Sequence, residues 1–356
     1  MDSQLRRWHD PHSLSAPARI PLRARLTALA GFFLGAGTLL GLLVWQGVPE
    51  VGGALAAAGW GLVVVALYHV FPLALDALGW WRLLPVAERP DLRRVLVDRW
   101  IGESVNTLLP VMQIGGPVVR ARMLMRDGIT GSLAGASVVV DVTLLVLSQI
   151  VFTILGILLL LMVLGGAGLV GPAVMGVAVM AAAIGAFILL QRRGLFGRIT
   201  GPLAKFFGSP ALSAAADGAA SLDRKILEVY ADNAALRGSF LYHLTGWLVG
   251  TGEVWLALYF LDHPVPLVTA MLLESLGQAV RAGAFVVPGA LGVQEGAFML
   301  LGRTLGIPPE TALALSLSKR CRELLFGIPG LVVWQFSEAN SFLSHFRRNS
   351  TGPDGE

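Results

Sequence analysis

Two interruptions of the same kind break an otherwise lipid-compatible chain. The first runs Glu103-Ser104, Pro110, Gly115-Gly116-Pro117; the second runs Glu274-Ser275, Pro288, Gln294-Glu295-Gly296. Each sets a carboxylate, a proline and glycines inside an apolar stretch. At membrane depth, free backbone and charge are tolerated only under cover of protein or of a water-filled cavity. A repeated pair of such breaks therefore narrows the fold to helices around a polar interior, and points to a site at the interface between repeats.

Composition agrees with this. The 356 residues are 55% hydrophobic and 14% charged, with a mean hydropathy of +0.69. A soluble domain carries about 25% charged residues, so the chain belongs with polytopic membrane proteins. The net charge of +4 does not mark a nucleic-acid partner, because the basic residues lie between apolar runs. Cys321 stands alone, which excludes an intrachain disulfide and a cysteine-based metal cluster. Walker A, HExxH and GxSxG patterns are absent. Neither a cofactor nor a metal is expected, and residues 1–25 lack the pattern of a cleaved signal peptide.

A bilayer core takes about 20 apolar residues per helix. Spans are expected at 26–46, 59–80, 132–163, 171–190, 240–261 and 311–336. Segments 100–125 and 265–306 are apolar but broken, and read as re-entrant helical hairpins. The expected fold class is an all-α polytopic membrane protein. Residues 26–340 form a single transmembrane domain between an N-terminal segment 1–25 and a tail 341–356.

Lys and Arg gather in 1–25, 81–99, 120–126, 191–237 and the tail, and are missing from 47–58, 164–170 and 262–266. This asymmetry puts both termini in the cytoplasm. The first hairpin then enters from the cytoplasm and the second from outside, which is an inverted-repeat architecture. In loop 191–237, Phe196, Ile199, Leu203, Phe206 and Phe207 alternate with Arg198 and Lys205, a pattern for a helix lying on the cytoplasmic leaflet.

Several charges sit too deep to be incidental. Glu103 and Glu274 either line a polar cavity or cap half-helices. Glu295 follows the Pro288–Gly292 break and either caps the second half-helix or receives a basic partner. Arg281 lies seven residues after Glu274, near the same helix face. Lys319, Arg320, Arg322 and Glu323 interrupt the last span, with Arg320 and Glu323 spaced to pair. Asp141 lies inside the third span with no local cation, and His69 reads as a packing residue. Two interpretations stand: an ion-pair network tying helices together, or a cationic groove for an anionic lipid headgroup.

Ile114-Gly115-Gly116 with Arg120-Ala121-Arg122, the stretch Val287-Pro288-Gly289-Ala290-Leu291-Gly292-Val293-Gln294-Glu295-Gly296, and Lys319-Arg320 with Arg322-Glu323 resemble the flippase-like family. That family includes the transmembrane part of lysylphosphatidylglycerol synthetases, and the second motif is most similar to the hopanoid-biosynthesis-associated HpnL subfamily. The resemblance covers about residues 25–340. It implies lipid translocation between leaflets of the bacterial cytoplasmic membrane, without enzymatic chemistry. The implied motif positions are Glu103, Asn106, Gly115, Gly116, Arg120, Pro288, Gly289, Gly292, Glu295, Arg320 and Glu323. One departure stands out: where the first motif of the family reads GGE, this chain has Gly115-Gly116-Pro117. The soluble aminoacyl-transfer domain is missing, so modification of phosphatidylglycerol is not expected.

The expected partner is a membrane lipid, a hopanoid or one with an anionic headgroup, bound near Arg281, Glu295, Arg320 and Glu323. Lipid-biosynthesis enzymes and a second copy of the chain are further expected partners. The alternatives are an integral-membrane enzyme acting on a polyprenyl or hopanoid lipid, with Glu295 or Asp141 as base, and a non-catalytic scaffold for lipid synthesis.

Overall fold

The computed structural model describes residues 58–109, 113–164, 167–207, 210–284, 287 and 290–350, with four isolated positions before 58. Side chains are not described at 164–170, 172–173, 203–214 and 338–350. The N-terminal segment 1–25, most of the expected span 26–46, and Pro110, Pro288 and Gly289 lie outside the described residues. Among the described residues the fold is helical, without strands.

The first described span is split by its own sequence. Helix α1 (Gly61–Tyr68) and helix α2 (Val70–Arg82) meet at His69. Pro72 lacks an N–H and its ring crowds the carbonyl four residues back, so the helix divides one turn before it. The division leaves His69 facing the protein interior.

The first broken segment forms two arms, α3 (Leu92–Leu108) and α4 (Gly115–Arg126). Asp91 caps α3 by accepting from the Arg93 N–H. The helix stops at Leu109, which is extended as expected of a residue preceding proline. Gln113 then takes a left-handed conformation (φ 62°) before α4 starts. The long helices α5 (Gly131–Leu164) and α6 (Ala167–Arg192) follow. Loop 191–237 folds into α7 (Leu195–Phe207) and α8 (Pro210–Ala231), which pack along each other.

Helix α9 (Asn233–Phe260), capped by Asp232, leads to the second broken segment. Its arms are α10 (Leu267–Gly283) and α11 (Val293–Thr304), with left-handed Ala290 (φ 48°) and Gly292 (φ 76°) between them. The chain closes with α12 (Pro309–Ser350), which opens on a proline where a missing N–H costs nothing.

Three contacts organise these elements. Helix α2 runs antiparallel along α9: just before it the Tyr68 hydroxyl, at the end of α1, donates to the Val249 carbonyl, and toward its other end Gly79 meets His243. Helix α12 packs on α3, and α5 packs on α10. The apolar core is divided accordingly: Val254, Leu258, Leu273, Phe298 and Leu313 join α9–α12, while Trp80, Val95, Leu124 and Leu133 join α2–α5.

Three stretches, Gly61–Arg82, Gly131–Val163 and Val174–Arg192, are long and apolar enough to cross a membrane. The expected spans 240–261 and 311–336 lie within α9 and α12 but are not among those three. Both carry buried charge, Glu253 in α9 and Lys319, Arg322 and Glu323 in α12.

Candidate functional site

The two broken segments face each other across a cavity of about 410 Å³. Arms α3 and α4 contribute Glu103, Asn106, Gly116 and Arg120; arm α10 and the connection that follows it contribute Glu274, Gln278, Arg281 and Ala290. Helices α2, α5, α9 and α12 complete the wall with His69, Asp76, Gln149, Glu253, Arg322 and Glu323, among others.

Close packing shapes the first arm pair. A Cβ on Gly116 would run into the Gly102 carbonyl, so only glycine lets α4 lie this close to α3. The approach brings Asn106 Oδ1 within 2.7 Å of the Gly116 N–H, which it accepts. Free N–H groups at a helix start need such partners. The second arm pair solves the same problem differently. Glu295, in the first turn of α11, accepts from the Gly292 N–H at 2.7 Å. Pro117 and Glu295 both stand third in their helices, so the departure from GGE has a local explanation: Asn106 supplies a cap from the neighbouring arm, and no glutamate is needed there.

Behind the α3–α4 side lies a cluster centred on Asp141 of α5, which is fully buried. Its Oδ2 accepts from Arg99 Nη1 (3.0 Å) and Arg120 Nη1 (2.7 Å), and its Oδ1 faces His243 Nε2 (2.9 Å). Arg99 also donates to Asp76 Oδ2 (2.9 Å), whose Oδ1 faces His243 Nδ1 (2.7 Å). The Arg120 guanidinium lies over the Trp80 ring at 4.7 Å from its centroid.

The opposite side inverts the charges. Here cations of α12 are held by carboxylates from α10, α11, α9 and α3. Lys319 donates to Glu274 Oε2 at 2.6 Å, and Gln278 donates to the other oxygen of Glu274 at 2.8 Å. Arg322 Nε donates to Glu253 Oε1 at 3.1 Å. His69 sits between Glu253 (Nδ1, 2.9 Å) and Glu103 (Nε2, 2.7 Å). Glu323 receives Arg281 at 2.6 Å and Arg320 at 3.1 Å, the latter along one helix face. Arg320 Nε also donates to Glu295 Oε1 at 3.1 Å, and Ser316 donates to the same oxygen at 3.2 Å.

Buried charge is costly unless paired and hydrogen-bonded, and removing one partner strands the other. The two clusters meet that condition almost throughout. Among the described residues, Asp98 Oδ2 and Arg320 Nη2 remain as buried charged-group atoms without a hydrogen bond.

The structure brings Glu103, Asn106, Arg120, Glu274, Arg281 and Glu323 together on the cavity wall, with Gly116 beside them. Glu295 and Arg320 stand behind that wall, in the α11–α12 contact, and Gly115 and Gly292 start the second arms without lining the cavity. Asp141, expected to have no local cation, has three basic partners from α3, α4 and α9. The residues not singled out from sequence are Asp76, Arg99, His243 and Glu253, and His69 was read as packing only. Asp76 lies seven residues after His69, on the same face of a span, and an ionisable residue inside a span is itself a signal.

The model of the family described as "Lysylphosphatidylglycerol synthase TM region" matches residues 28–330. Comparison with curated proteins and with solved structures returns no match. The match spans both broken segments, the cavity between them and the first half of α12, and on it the chain belongs to the lysylphosphatidylglycerol synthase transmembrane-region family of membrane proteins.

Proposed function

We propose that the protein moves a polar-headgroup lipid between the leaflets of the bacterial cytoplasmic membrane, acting as a transporter rather than an enzyme. The observation that carries this reading is the cavity of about 410 Å³ walled jointly by the two broken segments and lined with charge from both. A headgroup occupies such a space while its tail stays in lipid. Arg281, held in part by Gln294 and Glu323, is the arginine nearest in character to a headgroup ligand, since its fork suits phosphate geometry.

The inverted-repeat reading is supported by paired contacts: α2 with α9, α12 with α3 and α5 with α10. Each broken segment packs on the long helix of the other half, the arrangement from which rocking of one half against the other exposes a shared site alternately. The distribution of Lys and Arg supports cytoplasmic termini and opposite entry of the two hairpins. Similarity of the second motif to the HpnL subfamily makes a hopanoid the first lipid to try, with an anionic phospholipid second. Lipid-synthesis enzymes that deliver the substrate and a second copy of the chain are the partners this reading calls for.

The test uses purified protein in vesicles of phosphatidylglycerol and phosphatidylethanolamine carrying a fluorescent lipid. Transfer between leaflets should exceed that of protein-free vesicles and fall on Arg281→Ala. Equal rates with and without protein would refute the transport reading, and appearance of a lipid of new mass would establish an enzyme instead.

A further inference from the structure

Both histidines of the α2–α9 contact are placed in the same unusual way. His69, at the junction of α1 and α2, has Glu103 on one ring nitrogen and Glu253 on the other, at 2.7 and 2.9 Å. His243 of α9 has Asp76 on one and Asp141 on the other, at 2.7 and 2.9 Å. A neutral imidazole has one N–H and one lone pair, whereas an ionised carboxylate only accepts. Neutral rings at these distances would point a lone pair at a carboxylate oxygen in each cluster. Both nitrogens donate only in the imidazolium form.

The two triads also share a plan. Each runs from a partly exposed carboxylate on the cavity wall, through the imidazole, to a carboxylate that is nearly or wholly buried. The cavity-side members, Asp76 and Glu103, have side chains 19% and 27% exposed; the inner members, Asp141 and Glu253, are 0% and 4% exposed. Each histidine reaches across to a carboxylate of the facing helix: His69, at the head of α2, to Glu253 of α9, and His243 of α9 to Asp76 of α2.

From this geometry we infer that the protein carries two proton-binding sites, one in each half, at His69 and His243, loaded from the central cavity through Glu103 and Asp76. This rests on the transport reading for its purpose but not for its existence. A proton arriving from cavity water passes from the outer carboxylate to the imidazole, which then donates to both carboxylates. When it leaves, one ring nitrogen presents a lone pair to a carboxylate less than 3 Å away, and the tie between α2 and α9 at that site opens. Proton occupancy thus sets the contact between the halves.

Charged groups face both rings, and the Phe326 ring stands edge-on to His69 at 5.2 Å. His69 is faced by Glu103 of α3, Glu253 of α9, and Arg322 of α12, with Lys319 of α12 3.8 Å from Glu253. Arg322 Nη1 lies 3.3 Å from His69 Nε2 and 3.6 Å from Glu103 Oε1, an ion-pair distance, and the shorter 2.7 Å contact makes Nε2 a donor to Glu103. His243 is faced by Asp76 of α2 and Asp141 of α5, which are held in turn by Arg99 of α3 and Arg120 of α4. These cations pair with the carboxylates, and the ring nitrogen between each pair is the group left with a lone pair to protonate.

Nitrogen-15 histidine resonance of the full-length protein in lipid vesicles tests the proposal. At about pH 8, where free histidine is neutral, two of the six histidines should carry N–H on both nitrogens. Each signal should be lost singly in His69→Gln and His243→Gln. Glu103→Gln and Asp76→Asn, which keep shape but remove the anion, should return the respective ring to the neutral form. Neutral imidazole signals for both residues between about pH 6 and about pH 8 would overturn the sites. In the vesicle assay, an imposed pH gradient should change lipid transfer several-fold, and a gradient-independent rate would overturn the coupling. Imidazolium signals without lipid transfer would uphold the proton sites and defeat the transport reading alone.

Discussion

Ser104 of α3 lies directly against Gly330 of α12, with no room for a Cβ between them. Its hydroxyl turns back to the Trp100 carbonyl at 2.8 Å, so the polar atom is satisfied within its own helix. Ser275 of α10 repeats this: it lies against Gly156 of α5 and donates to the Met271 carbonyl at 2.7 Å. Small residues that let backbones approach are the usual means of joining helices in lipid. Gly330→Ala and Gly156→Ala should each therefore destabilise the protein, by about 1–3 kcal/mol as overpacking does. Thermal unfolding in detergent measures this, and substitution of Gly171, which has open space around it, serves as the neutral control.

Asp141 gathers Arg99, Arg120 and His243 around one carboxylate. Asp141→Ala leaves these groups buried without their common partner and should cost about 3–5 kcal/mol. Loss of monodisperse protein on size exclusion, or a steep fall in thermal midpoint, is the expected readout.

The two second arms should respond differently to changes at their starts. Asn106→Ala frees the Gly116 N–H and should cost about 0.5–2 kcal/mol, as loss of a cap does. Glu295→Ala frees the Gly292 N–H and also loosens Arg320 and Ser316, so it should cost more, about 1–3 kcal/mol. Hydrogen exchange at the first turns of α4 and α11 separates the two effects.

Asp223 of α8 accepts from the backbone N–H of Phe196 (3.2 Å) and Gly197 (2.7 Å), and so caps α7 from a neighbouring helix. Asp223→Ala should raise hydrogen exchange at residues 196–198 at a cost of about 0.5–2 kcal/mol. The exchange at α9 should stay unchanged, since its own cap is Asp232.

What could be read from the sequence and what could not follow from the range of the interactions. The breaks at 109–114 and 284–292 were legible because proline and glycine act within a few residues. The pairing of Arg320 with Glu323 was legible for the same reason, being one helical turn. The partners of Asp141 were not, because His243 stands 102 residues away and belongs to a helix whose direction of approach a single sequence does not specify. His69 looked like packing because Glu253, 184 residues on, is invisible to local spacing. Glu295, read as a cap or the receiver of a basic partner, is both: it accepts from the Gly292 N–H and from Arg320. With Ser316 and Glu323 these hydrogen bonds hold the α11–α12 contact together.

The exchange of partners between the two halves bears on how the chain is made. Glu103 emerges from the ribosome long before Arg322, and Asp76 long before His243. During synthesis the early half forms its own pairs, Arg99 with Asp76 and Arg120 with Asp141, while Glu103 still lacks Arg322 and Asp76 still lacks His243. The late helices thus complete the early ones, and a chain that stops before α12 leaves Glu253, Glu274 and Glu295 without Arg322, Lys319 and Arg320.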